Sequence, residues 1–380
     1  MENLTHSLLG ATLASIAVPR TATVVQRRVF FITGLLAANL PDADLVYSGI
    51  TPPPLGYLLH HRGHTHTIAG LVAFAALAWL ITRLPRVREA IGTASARFWW
   101  LVALALGSHL LADGWNNYGI HPFFPLSNQW FYGDVAYILE PWFWMLLGVA
   151  VVLNTRNRHG RWSLAALLIA LPLLGVAIGM LPWPAIAAMA GVCCVLSLAL
   201  RTLDEPRRAL ISLVALLTFV VLSWNLHGAV VRQINQADPF GAAQTLDLIL
   251  NPRPANPLCW DALRLTRDAT AMLTISQRTV ALPSAESSAC GRDAAPEWRT
   301  LVRESIPELQ QLARDNCEVR AWLQFGRAPA LGDGLISDLR FGAAVRGNFS
   351  ALRFTETPPP RCPPNLPNWT PPRSDVLDRF

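Results

Sequence analysis

The sequence predicts a mostly α, polytopic transmembrane bundle of about eight helices with a small α+β extramembrane domain at its C-terminal end. Three observations predict it. Of 380 residues, 52% are hydrophobic and only 15% are charged. Across the first 230 or so residues, apolar runs alternate with short loops bearing arginine or proline. From Arg232 onward the long apolar runs stop, while proline and charge become dense.

Taken in order, the apolar runs are 4–18, 29–40, 65–84 and 98–112, which are short or interrupted, then 135–153, 162–181, 183–200 and 209–231, which approach full membrane length. Short runs fit helices whose ends carry polar site residues. The first run lacks a basic leading segment and carries His6, so it is expected to stay as the first helix and not be cleaved as a signal peptide. The organisation read from these runs is a helical membrane domain at 1–150, further transmembrane helices at 151–231 and an extracytoplasmic domain at 232–380.

Arginine placement orients the bundle. Arg20, Arg27 and Arg28 lie between the first two runs, and Arg83, Arg86 and Arg88 between the third and fourth. Arg156, Arg158 and Arg161 lie between the fifth and sixth, and Arg201, Arg207 and Arg208 between the last two. The positive-inside rule makes these four loops cytoplasmic and puts the N-terminus, the stretch 42–66, the loop 114–134 and the C-terminal domain on the other side. The net charge of +6 comes from a chain without lysine, so it reads as a topology signal and not as a nucleic-acid surface.

In the C-terminal domain, alternation at 262–282 and 319–325 suggests strands, 306–316 reads as a helix, and the tail from Thr355 is expected to run as an extended strap. Cys193 and Cys194 sit in an apolar run as small packing residues. Cys259, Cys290, Cys317 and Cys362 fall in the terminal domain, far apart and even in number, which suggests two disulfides of open pairing in an oxidising compartment.

The chemistry concentrates on the non-cytoplasmic side. His109 and Asp113 are four apart on an apolar helix and share a face, as two ligands of one ion or as a buried His–Asp hydrogen bond. His61 and His66 are five apart, with Gly63 permitting a turn between them; a solvated histidine loop is the plain alternative, and His60 and His64 add nearby donors. Asp42 and Asp44 follow Pro41, where alternate residues of an extended segment reach one ion or bridge two; otherwise they form a polar helix end. His6 alone would mean little. Together, on one face of one membrane, these residues point to a shared site for zinc or, failing that, manganese, since buried ionisable groups beside lipid are costly without a compensating partner.

The ordered motifs Thr5-His6-Ser7-Leu8-Leu9-Gly10, Leu40-Pro41-Asp42-Ala43-Asp44, His61-Arg62-Gly63-His64-Thr65-His66-Thr67 and Gly107-Ser108-His109-Leu110-Leu111-Ala112-Asp113 resemble the signature of the YdjM-like family of inner-membrane metal-dependent hydrolases. Gly119-Ile120 and Pro125-Leu126-Ser127 are similar to the segment that follows in that family. The match spans about residues 1–150. That family is considered distantly similar to zinc-dependent phospholipases C and single-strand nucleases, which implies a helical core acting on phosphate esters. The ligands so implied are His6, Asp42, Asp44, His61, His66, His109 and Asp113.

A bound divalent ion would supply an acidified water for hydrolysis, with Asp113 or one of Asp42 and Asp44 as general base. Arg62 is positioned to hold an anionic group or to form a loop salt bridge with Asp42 or Asp44. Asp134 and Glu140 are further acid–base candidates, or plain helix-start carboxylates. The expected function is therefore a bacterial inner-membrane hydrolase of a lipid or lipid-linked phosphoester, the bilayer being its partner. The alternatives are a metal-binding or transport protein and a metal-stabilised scaffold without catalysis.

Overall fold

A computed structural model describes residues 1–236, 243–282, 290–291, 294–355 and 361–374. Each of the eight expected runs forms a helix: α1 (Asn3–Ala17), α2 (Val24–Asn39), α5 (Ile68–Thr82), α7 (Ser95–Gly114), α8 (Pro141–Asn154), α9 (Arg158–Ala177), α10 (Trp183–Leu200) and α11 (Glu205–Gln236). Three short helices interrupt them: α3 (Asp44–Tyr47), α4 (Leu55–His60) and α6 (Pro85–Ile91). Among the described residues, five helical stretches are long and apolar enough to cross a membrane, and a sixth span would be the pair Leu55–His66 and Ile68–Thr82, bent by 65°. The fifth expected run starts late. Pro141 supplies a fixed φ at the first turn of α8, and the side chain of Glu140 accepts from Trp142 N, so 135–140 stay outside the helix.

Helices α1 and α2 cross almost backbone to backbone at Gly10 and Gly34. A Cβ on Gly34 would stand 2.4 Å from the Gly10 carbonyl oxygen, and one on Gly10 would stand 2.2 Å from that of Gly34. Small residues at a crossing are how helices pack closely where lipid removes the hydrophobic drive. His6 is one turn from Gly10, and Ala38 one turn from Gly34, so the same crossing holds both near α7.

The arginine loops gather at one end of the bundle. Arg20 pairs with Asp204 at 2.7 Å, Arg27 with Glu205 at 2.6 Å, Gln26 Nε2 donates to Ile91 O and Arg208 donates to Leu153 O and Leu200 O. The C-terminal domain sits at the other end. It contains a four-stranded antiparallel sheet in the order β1 (Gln244–Arg253), β2 (Asn256–Arg267), β3 (Met272–Ala281), β4 (Arg299–Ser305). Then follow α12 (Ile306–Asp315), α13 (Cys317–Trp322) and a second sheet of β5 (Pro329–Gly332), β6 (Leu335–Asp338) and β7 (Leu352–Arg353).

The strand expected at 319–325 is instead α13 and its closing turn. Asn316 caps this helix by accepting from Glu318 N and Val319 N, and Val319, Ala321, Trp322 and Leu323 are all buried. Arg320 is exposed between buried Val319 and Ala321, and over so few residues a turn of helix shows the same alternation as a strand. Disulfides join Cys259 to Cys290 and Cys317 to Cys362. Of the expected strap, 361–374 crosses the domain without helix or strand, while 356–360 and 375–380 lie outside the described residues.

Domain and bundle share one core: Leu55, Leu58, Leu59 and Tyr118 pack with Leu265, Ile275, Leu309, Trp322 and Trp369. Around it, Arg327 reaches both oxygens of Asp134 at 2.9–3.0 Å and pairs with Asp247 at 2.8 Å. Trp369 Nε1 donates to Leu59 O at 2.7 Å. At the seam with α8, Glu140 Oε1 accepts from Ala255 N, and Trp142 Nε1 donates to Ala255 O.

Burial pushes the Glu140 carboxyl up to about 8, against the two backbone N–H groups that favour its ionised form. A raised acid is protonated more readily in the folded chain, so its stabilisation is complete below the ordinary carboxylate range and fades as pH climbs through about 8. Glu140→Gln keeps the acceptor and removes the titration. Thermal unfolding between about pH 6 and about pH 9 is expected to show a loss of stability in the wild type that the variant lacks, and equal slopes in both proteins would refute this role.

Candidate metal centre

Four segments bring the site residues together. His6 projects from α1, whose first turn is capped by Glu2 accepting from Thr5 N. Helix α2 gives way at Pro41 to a tight 3-10 turn, Leu40–Ala43, which presents Asp42 before Asp44 opens α3. His61, Arg62 and His66 come from the bend between α4 and α5, and His109 and Asp113 from the same face of α7. In that bend Arg62 adopts φ 60°, a left-handed conformation uncommon for a residue with a side chain. Its amide then donates to Asp44 Oδ2 at 2.9 Å.

Hydrogen bonds fix the tautomers. His109 Nδ1 lies 2.6 Å from Ala38 O, a pure acceptor, so Nδ1 carries the proton and Nε2 a lone pair. His66 Nδ1 lies 3.1 Å from Asp44 Oδ2, which likewise leaves its Nε2 bare. These two Nε2 atoms face each other at 3.0 Å. Beside them stand Asp42 Oδ1 and Asp113 Oδ2, buried and without any hydrogen-bond partner. Asp42 Oδ1 is 3.4 Å from His66 Nε2 and 3.5 Å from His109 Nε2; Asp113 Oδ2 is 3.1 Å and 3.5 Å from the same atoms.

Four acceptors with no donor among them repel unless a cation sits between. Zinc bonds of about 2.0–2.1 Å at tetrahedral angles put neighbouring donors about 3.3–3.4 Å apart, close to the spacing found here. The donor set of two imidazoles and two carboxylates therefore fits a divalent transition metal. A proton on one imidazole would be the other way to hold the cluster together.

The second oxygens are spoken for. Asp42 Oδ2 takes Asn3 Nδ2 at 3.1 Å, and Asp113 Oδ1 takes Arg62 NH2 at 2.9 Å and the Met1 amino group. Asp44 differs: His61 Nδ1, Arg62 N, Thr65 Oγ1 and His66 Nδ1 all converge on its two oxygens at 2.8–3.1 Å. With its lone pairs so occupied, Asp44 orients two histidines. His61 stands on the far side of Asp44, stacked on Tyr57 at 5.0 Å between ring centres. Asp44, His61 and His66 do bring ligand atoms together as a second group, but there the carboxylate already has its donors. His6 is fully buried, stacked on His109 at 3.8 Å, with neither ring nitrogen hydrogen-bonded and Nε2 3.4 Å from Asp113 Oδ1.

All seven histidines and aspartates named from the sequence thus meet at one end of the bundle, in an inner four (Asp42, His66, His109, Asp113) and an outer three (His6, Asp44, His61). Arg62, expected to hold an anion or to pair with Asp42 or Asp44, points inward. Its guanidinium is buried and bonded to Asp113 Oδ1, Asp113 O and Asn116 Oδ1, with Tyr118 over it at 4.6 Å. His60 bonds Thr51 Oγ1, and His64 packs against Trp369 and Phe124. Asp134 serves Arg327, and Glu140 caps α8 at the seam, so neither reaches the cluster.

Sequence reasoning passed over Asn3, Asn116, Thr65 and the Ala38 carbonyl. Thr65 lay inside a quoted motif. The others are ordinary residues whose placement follows from the Gly10–Gly34 crossing and the bend after α7.

Residues 1–185 match the YdjM inner membrane protein family. No curated protein and no solved structure matches the chain significantly.

The assignment of Asp44 as an orienting group has a measurable consequence. Asp44→Asn keeps size but weakens its hold on His61 and His66, and metal affinity should fall about 10- to 100-fold with stoichiometry preserved at saturating metal. Asp42→Asn removes an inner donor and should abolish tight binding. Equal behaviour of the two variants in a metal titration would contradict the division into inner and outer groups.

Proposed function

From the match of residues 1–185 to the YdjM inner membrane protein family and the geometry of the cluster, we propose that the chain is a membrane-bound, metal-dependent hydrolase of a lipid or lipid-linked phosphoester. One observation carries this reading: the imidazole lone pairs of His66 and His109 face each other at 3.0 Å between two bare carboxylate oxygens. Zinc, or manganese in its place, suits this mixed nitrogen and oxygen set. Bound there, such an ion supplies a water acidified toward neutral pH and a polarised ester oxygen.

The chain's own residues do the rest. His66 and His109 are held as lone-pair donors by Asp44 and Ala38 O. Arg62 neutralises part of the charge on Asp113 from within and keeps one of its oxygens turned away from the centre. Asp42 is anchored by the single amide of Asn3 and is 7% exposed, while His66, His109 and Asp113 are at 0%. Asp42 is thus the inner residue nearest solvent, with its Oδ1 itself buried, and in this reading Asp113 or Asp42 accepts the proton. The cluster lies at the end opposite the arginine loops, which by the positive-inside rule makes that end extracytoplasmic. A phosphoester carried by the bilayer meets a centre so placed without leaving the membrane surface.

The near-complete burial of the inner four favours one second reading, a metal-stabilised scaffold, because structural zinc sites are closed and catalytic ones keep a position for water. Activity separates the two. Protein purified without chelator should contain about one equivalent of zinc or manganese and hydrolyse bis(4-nitrophenyl) phosphate. His109→Ala should lower both at least about tenfold. Bound metal with no hydrolysis across phosphoester substrates would leave the scaffold; absence of transition metal would end both readings.

A further inference from the structure

A cleft of about 1150 Å³ separates the tip of the α9–α10 hairpin from the first sheet of the C-terminal domain. Its floor is apolar and belongs to the membrane: Val176, Gly179, Met180, Leu181, Pro182 and Trp183 line it. At its lip Trp183 is 65% exposed, and the neighbouring Ile178 is 67% exposed. Exposed tryptophan at the end of a spanning helix sits where hydrocarbon gives way to head groups. The floor is thus continuous with the bilayer.

The roof is polar. Asn251 and Arg253 at the end of β1 both line it, Asp261 stands opposite Asn251 on β2, and Gln277 stands opposite Leu263 on β3. Asn117 and Asn256 add two further amides. The charged side chains of this wall are matched: Arg253 pairs with Asp261 at 3.0 Å and donates to Cys290 O, and Arg340 pairs with Asp338 at 2.8 Å. An electroneutral wall of amides and a matched ion pair offers donors and acceptors in mixed order. That suits hydroxyl groups better than a phosphate or a quaternary amine.

The inner end approaches the metal centre through aromatic rings. Phe341 and Phe349 line the cleft; Phe341 lies 5.8 Å from the Tyr118 ring and Phe349 5.9 Å from that of Tyr57. Tyr57 and Tyr118 in turn flank His61, at 5.0 and 5.7 Å. Between the cleft-lining Phe341 and Phe349 and the metal centre stand the rings of Tyr57 and Tyr118 and then His61 with Asp44, Tyr57 being 39% exposed.

We infer that this cleft binds a glycosyl-headed amphiphile, with its sugar under the amide wall, its apolar chain along the α9–α10 tip and its linkage turned toward the metal centre. The inference rests on the proposed phosphoesterase and names the class of lipid that it would act on. A volume just above the ordinary range of ligand pockets leaves room for a head group of more than one sugar ring.

A dodecyl maltoside carrying a diazirine in its chain tests the cleft without needing catalysis. With the full chain in phosphatidylcholine nanodiscs, photolysis and peptide mapping should place label on 176–183, 249–256 and 339–349. Ala343 lines the cleft and is exposed, so Ala343→Trp fills the space without displacing packed atoms and should reduce labelling to background. Gln277→Leu should weaken half-saturation about fivefold, the effect of one lost hydrogen bond. His109→Ala should label as the wild type does; cleft labelling by a wild-type protein that carries no metal and hydrolyses no phosphoester would remove the enzyme reading and leave the lipid site. Label spread along the helix belt and unchanged in Ala343→Trp would overturn the inference. Equal cleft labelling by a diazirine alkylphosphocholine would overturn its sugar specificity.

Discussion

Two imidazole lone pairs held face to face at 3.0 Å, with a bare carboxylate oxygen on either side, are the constraint around which the membrane half of this protein is arranged. Left without a cation, that arrangement would cost several kcal/mol in a buried site. The surrounding structure nevertheless commits to it. The Ala38 carbonyl and Asp44 take the other nitrogen of each ring, and Asn3 and Arg62 take the other oxygen of each carboxylate. Gly10 and Gly34 permit the helix contact that brings α1, the end of α2 and α7 to one point. Each of these features is understandable alone as packing; a positive centre would account for all of them together.

Arg62 shows how the site and the fold share residues. Its guanidinium is fully buried, a costly placement offset by Asp113, the Asn116 side chain and the backbone oxygens of the turn after α7. Its backbone amide meanwhile holds Asp44. One residue thus fixes the inner carboxylate with its side chain and the orienting carboxylate with its main chain. The C-terminal domain braces the same bend from outside: Trp369 donates to Leu59 O and packs over His64, and Leu55, Leu58 and Leu59 belong to the domain's own core.

Much of this was legible in the sequence because membranes make patterns strict. Apolar runs gave eight helices, arginines sorted their loops to one end, and the spacing of His109 and Asp113 placed both on one face. The division of labour among the seven ligand candidates was not legible. Asp42 and Asp44 are two residues apart in a polar turn, and only the structure shows one with a bare oxygen and the other saturated by donors. The 3-10 turn after Pro41, and not an extended segment, separates them. Arg62 read as an anion holder or a loop partner of Asp42 or Asp44 because nothing in its neighbours announces the left-handed backbone that turns it inward. In the C-terminal domain, helix α13 read as a strand because exposed Arg320 between buried Val319 and Ala321 alternates as a strand would over so short a run, and β5 to β7 were missed because strands of two to four residues carry too little pattern.

X-ray absorption at the metal K-edge of the as-purified protein addresses the centre most directly, because it reports the donors without assuming a reaction. Two imidazoles and two carboxylates predict a first shell of nitrogen and oxygen at about 2.0–2.1 Å, outer-shell scattering from two histidine rings and no sulfur. The histidine signal should fall by half in His66→Ala. A first shell containing sulfur, no histidine scattering, or no bound transition metal would contradict the account.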